Sequence, residues 1–107
     1  SNNKNTLESF LDSNNDAFEN YHALPLEQSY KSLIKSEIAD MKNSGGRFGG
    51  AITAALLLEE FVDDLNWIHL DIAGPARSRS SSSMYPEGGT GFGVLGYFNF
   101  LAKEANN

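Results

Sequence analysis

Cysteine is absent from this chain, so neither a disulfide staple nor a thiolate-ligated metal is open to it. Long apolar runs are missing as well. The longest, AITAALLL at positions 51–58, has eight residues and contains Thr53, against the roughly 20 needed to cross a bilayer. Positive charge is scarce: 8 Lys and Arg stand against 14 Asp and Glu, which leaves a net charge of -6 at pH 7 and predicts no partnership with nucleic acid or an anionic membrane. The opening residues, SNNKNT, lack the basic stretch and apolar run of a secretory signal, so any transit peptide is expected to have been removed or never present. With 107 residues there is room for one domain at most.

Helical spacing is plentiful. Leu7, Phe10, Leu11, Ala17, Phe18 and Tyr21 return to one side of a helix, which predicts an amphipathic helix over roughly 6 to 22, within residues 1–23, with Thr6 as N-cap. Beyond Pro25, the positions Leu26, Tyr30, Leu33, Ile34, Ile38 and Met41 predict a second helix from near Leu26. Residues 35–43 are compatible with helix or with an extended segment. Glycines at 45, 46, 49 and 50 mark a loop whose backbone takes positive φ or is approached closely. The next stretch, 50–62, is apolar on nearly every face up to Glu59 and Glu60, which predicts a helix buried on nearly all sides.

Trp67, Ile68, His69, Leu70, Asp71, Ile72 and Ala73 predict a strand ended by Gly74 and Pro75, with both faces carrying side chains meant to be covered. Residues 77–89, Ser-rich at 78–83, have nothing to anchor a core and are expected to form a flexible surface loop. A C-terminal helix is predicted from near Thr90, its hydroxyl placed to cap it, with Val94, Leu95, Tyr97, Phe98, Leu101 and Ala102 in helical spacing.

One clear strand and one doubtful one cannot make a stable sheet, because a strand with two coverable faces needs neighbours on both edges. The chain therefore reads as a piece of a larger α/β layer structure, completed by another chain, another segment or an oligomer.

Residue patterns with chemical potential each have a plainer reading. His69 and Asp71, two apart on one strand face, could chelate a metal with a third ligand, but a hydrogen-bonded core pair is the favoured reading. Gly91, Gly93 and Gly96 spell GxGxxG, yet the dinucleotide fingerprint needs a preceding strand and an acid about 20 residues on. Only 11 residues follow Gly96. Asp63 with Asp64, and Glu59 with Glu60, read as solvated acids. The serines of 78–83 beside Arg77 and Arg79 are read as loop in preference to a modification or partner site. His22 follows a helix end, where it suits the helix dipole.

Four blocks in order, LPLEQSY (24–30), KSEIADMKNSGGRFGGAITAALLLEEFV (35–62), WIHLDIAGP (67–75) and TGFGVLGYFNFL (90–101), resemble the C-terminal end of the leucyl, or cytosol, aminopeptidase family. The GGR-x-GG loop and the GFGV form are similar to its plant-type and bacterial branch. The Ser-rich insertion at 78–83 departs from the family pattern, and so does Gly96, where the family usually carries a larger or β-hydroxyl residue.

The resemblance implies an α/β fold: the C-terminal fragment of a three-layer mixed-sheet catalytic domain with helices on both faces, incomplete on its own. It implies a metalloaminopeptidase that removes N-terminal residues from peptide substrates with two divalent metal ions, Zn or Mn. The metal ligands and catalytic residues lie upstream in the family, and the signature Asn-Thr-Asp-Ala-Glu-Gly-Arg does not occur in this sequence. No catalytic or metal-binding residue is therefore implied here, and no metal bound by this segment alone. Ala73 and Ala76 match positions lining the pocket for the substrate's N-terminal side chain. The partners implied are the remainder of the subunit and a homo-hexamer; the location implied is the cytoplasm or, alternatively, an organelle interior, chloroplast or mitochondrion. The competing class is an aminopeptidase-like subunit that has lost its chemistry and serves structure or binding.

Overall fold

A computed structural model describes residues 1–82 and 85–106. Its regular elements are helices α1 (Lys4–Asp16), α2 (Gly50–Glu59) and α3 (Val94–Ala105), a 3-10 helix over Gln28–Ile34, and the short strands β1 (Arg77–Ser78) and β2 (Gly88–Gly89). The residues divide into two compact units: Ser1–Asn3 with Ala23–His69, and Lys4–His22 with Leu70–Asn107.

In the first unit α2 packs on the 3-10 helix. The Glu27 side chain accepts from the Ser29 N–H at 3.2 Å and so starts the 3-10 turn, two residues later than the helix expected from Leu26. Residues 35–43 form neither regular helix nor ladder: the Lys42 N–H returns to the Ile34 carbonyl at 2.7 Å, closing a loop that leaves Ile38 98 % exposed. The glycine loop behaves as read, with Gly46 at φ 98° and Gly49 at φ 66°, the latter forming the N-cap of α2. Ile34, Thr53, Ala55 and Leu56 make the buried centre. Contrary to expectation, the stretch 50–62 is not covered all round, because Leu58 in α2 and Phe61 just beyond its end remain open to solvent. Lys31 reaches Glu59 at 3.3 Å and Glu60 at 2.5 Å, so these acids are paired rather than simply solvated.

The second unit is built on Phe10. This fully buried ring meets Tyr21, Tyr97 and Phe100 edge-on, with centroids 5.4, 5.8 and 5.4 Å away. Helices α1 and α3 face each other, tied by Lys103 to Asp16 at 2.7 Å and Ser9 to Glu104 at 3.0 Å. Helix α1 ends at Asp16, short of the expected 22, because Phe18 turns left-handed at φ 58° and the Glu19 N–H returns to the Asn14 carbonyl. Helix α3 begins at Val94, four residues after Thr90. Its Leu95, Phe98 and Leu101 are exposed.

The strand expected over 67–73 is not formed. Residues 66–72 carry no ladder, and β1 with β2 is the only paired sheet among the described residues, antiparallel with Arg77 opposite Gly89 and Ser78 opposite Gly88. A ladder needs a neighbouring backbone, and among the described residues none is paired with this segment. The expected Ser-rich loop therefore starts and ends as a two-residue hairpin base; Ser83 and Met84 fall outside the described residues.

Candidate functional site

The turn that follows residues 66–72 holds both alanines singled out as pocket wall. Asp71 begins it: its Oδ1 accepts the Ala73 N–H at 3.1 Å, an Asx-type turn. The Ala76 N–H then donates to the Ile72 carbonyl at 2.9 Å. Pro75, with fixed φ and no N–H, sits inside this turn without a lost bond. Ala73 is exposed and Ala76 half-buried.

Thr90 closes the turn from the far side of the hairpin. Its hydroxyl donates to the Pro75 carbonyl at 2.6 Å and accepts the Phe92 N–H at 3.2 Å, while its own N–H donates to the Ala76 carbonyl at 3.0 Å. The N-cap of α3 is instead Gly93, at φ 99°. A free amide row at that helix start is satisfied from α1's end: the Glu19 carboxylate accepts from Gly93 N–H at 2.9 Å and from Gly96 N–H at 2.8 Å. Two of the GxGxxG glycines, Gly93 and Gly96, thus bind this chain's own carboxylate, which occupies the place a phosphate would need.

An apolar groove of about 460 Å³ runs along the turn's entrance, lined by Tyr21, Leu70, Ile72, Phe92, Val94 and Tyr97. The Tyr21 hydroxyl is buried without a partner among the described residues. Burial, and then the nearby Glu19 carboxylate and Tyr97, push its phenol above the ordinary value of 10.0.

His69 is half-buried with its ring 6.3 Å from that of Trp67, and Asp71 is committed to Ala73. Among the described residues no group of three or more His, Cys, Asp or Glu comes together to hold a metal. The donor set therefore does not fit the two-metal centre implied by the resemblance, and no reaction step is assigned to a metal held by these residues. Asp63 takes φ 48° in an exposed turn with Asp64, and His22 is exposed. No helix among the described residues is long and apolar enough to cross a membrane. Reading by residue type missed Glu19, whose partners lie 74 and 77 positions away. The one sequence signal for it is a helix beginning at glycines, with no capping side chain of its own.

Helices together with a short paired sheet define, among the described residues, a small α/β fold. The sequence model described as "Cytosol aminopeptidase family, catalytic domain" matches residues 1–96. A probable cytosol aminopeptidase of Picosynechococcus is 56% identical over 78 residues, covering 73% of this chain and 16% of the relative. Among solved structures, the bottromycin maturation enzyme BotP in complex with Mn superposes with a TM-score of 0.90 at 33% identity, over 96% of this chain and 23% of that one. A tomato leucine aminopeptidase mutant gives a TM-score of 0.85 at 35% identity, over 94% and 19%. This chain belongs to the cytosol aminopeptidase family. It spans about a sixth of the length of the curated relatives it matches.

Proposed function

We propose that this chain is the C-terminal portion, over residues 1–107, of the catalytic domain of a metalloaminopeptidase that hydrolyses N-terminal residues from peptides. Its own contribution is scaffold and one wall of the substrate pocket. The metal-binding and catalytic groups, and the two divalent ions themselves, are supplied outside this segment. A manganese complex of a similar enzyme supports Mn as one of those ions, with Zn the alternative.

The observation that carries the reading is the agreement of backbone with solved structures, the tomato leucine aminopeptidase among them, over 94–96% of the chain at 33–35% identity. Unmatched apolar surface supports completion by further protein: Leu58, Phe61, Leu95, Phe98 and Leu101 are 44, 70, 62, 69 and 60% exposed. Ala73 and Ala76, small and set in a hydrogen-bonded turn, leave room for a leucine-sized or larger side chain of the substrate. The GGR-x-GG and GFGV forms support the plant-type and bacterial branch. Assembly is as a homo-hexamer in the cytoplasm or an organelle interior.

The test is hydrolysis of leucine amide by the purified whole assembly with added manganese or zinc. Turnover that a chelator abolishes is expected. Intact hexamers without turnover would refute the enzyme reading in favour of a structural or binding subunit.

A further inference from the structure

We propose that Thr90 is a positioning residue for the substrate pocket: through the Pro75 and Ala76 carbonyls it fixes the wall made by Ala73 and Ala76, and so sets which N-terminal side chains are accepted. This rests on the aminopeptidase reading and adds to it the residue that holds the wall.

Three bonds converge on one side chain and its amide. The hydroxyl donates to Pro75 O at 2.6 Å, the amide donates to Ala76 O at 3.0 Å, and the same hydroxyl accepts from Phe92 N–H at 3.2 Å. Between the two ends of this staple lies the hairpin base, with Arg77 paired to Gly89 and Ser78 to Gly88. The turn itself is short of other anchors: Ala73 and Pro75 are exposed, and a Cβ added at Gly74 would meet nothing within 4 Å. Its inner bonds, from Ala73 N–H to Asp71 Oδ1 and from Ala76 N–H to Ile72 O, shape the turn but do not tie it to anything beyond itself. Thr90 does, because Gly91 at φ 70° and Gly93 at φ 99° carry the chain directly from it into α3. The wall is thereby referenced to a helix rather than left to the mobility of a surface turn.

The hydroxyl is what suits threonine to this post. Valine keeps the shape but can neither donate to Pro75 nor accept from Phe92; serine keeps both bonds. A hydroxyl used only for helix capping would instead sit at the N-cap, which is Gly93.

The experiment is steady-state kinetics on the whole assembled enzyme, with leucine amide and alanine amide as paired substrates, for the wild type, Thr90→Val and Thr90→Ser. Loss of the hydroxyl's bonds is expected to lower the leucine-to-alanine ratio of kcat/KM by about tenfold, mostly through a raised KM for leucine amide. Thr90→Ser is expected to keep the ratio within about twofold of wild type, since both bonds survive. A Thr90→Val enzyme with the wild-type ratio overturns the proposal while leaving the aminopeptidase reading intact. So does a Thr90→Ser enzyme that loses the ratio. A Thr90→Val chain that fails to assemble also overturns it, because the residue would then serve the fold rather than the pocket. Absence of turnover in the wild type refutes the aminopeptidase reading, and this inference with it.

Discussion

Gly96 is the position at which a single methyl group should matter most. A Cβ added there lies 1.6 Å from Asn14 Oδ1, 2.5 Å from Asn14 Cγ and 2.9 Å from Glu19 Oε2. Asn14 has no route of escape: it is fully buried, and its Nδ2 donates to the Phe10 carbonyl at 2.7 Å. Gly96→Ala therefore drives the amide out of place. Overpacking costs about 1–3 kcal/mol, and a broken buried hydrogen bond about 1–3 kcal/mol more. The better helix propensity of alanine offsets about 1 kcal/mol. The net loss, about 1–5 kcal/mol, corresponds to amide exchange in α1 and α3 accelerated roughly 5- to 5000-fold, measured on the whole protein. Asn14→Ala combined with Gly96→Ala removes the collision together with an Oδ1 that has no partner. The pair should return to within about 1 kcal/mol of wild type, which makes the two sites strongly non-additive. Wild-type protection in Gly96→Ala, or a double variant no better than the single one, would refute this packing argument.

Further outcomes follow from the same geometry. Glu19→Ala removes two charge-assisted caps from α3 and should cost about 2–4 kcal/mol, read as faster exchange at the Gly93 and Gly96 amides. Tyr21→Phe deletes a buried hydroxyl that has no partner and should leave stability unchanged or raise it by up to about 1 kcal/mol. It should also remove an alkaline effect. The folded phenol's pKa lies above 10.0, so the unfolded chain loses its proton first; Tyr21's contribution is complete below that pH and lost as pH rises towards the folded value. Lys31→Met should shift the denaturation midpoint little and in a salt-dependent way, since the lysine side chain is 39% exposed in its pairs with Glu59 and Glu60.

How far the sequence could be read varied with how local each determinant is. The glycine loop and α2 were legible because positive φ at Gly46 and Gly49, and an uninterrupted run of good helix formers after them, are local matters. The end of α1 was not. Phe18 fits the apolar spacing yet turns left-handed, and the reason lies in α3, whose first amides need Glu19. Thr90 looked like a cap because threonine precedes a helix; its hydroxyl goes instead to a carbonyl 15 residues earlier. The pattern of 67–73 is that of a central strand, but no ladder forms on it among the described residues; under the proposed function its neighbours lie outside this chain. In the candidate site, the two alanines were reached only through resemblance, since alanine carries no chemical signature. The groups that hold them, Asp71 and Thr90, were visible as residues but were given other roles.

The claim that this chain is one part of a larger aminopeptidase domain is tested most directly by hydrogen exchange at the amides of residues 67–73, compared between the whole enzyme and the isolated chain. In the whole enzyme, neighbouring strands should pair this backbone and slow Ile68, Leu70 and Ile72 by several orders of magnitude, whereas in the isolated chain they should exchange near the rate of an unstructured peptide. Strong protection in the isolated chain, or none in the whole enzyme, would contradict the account.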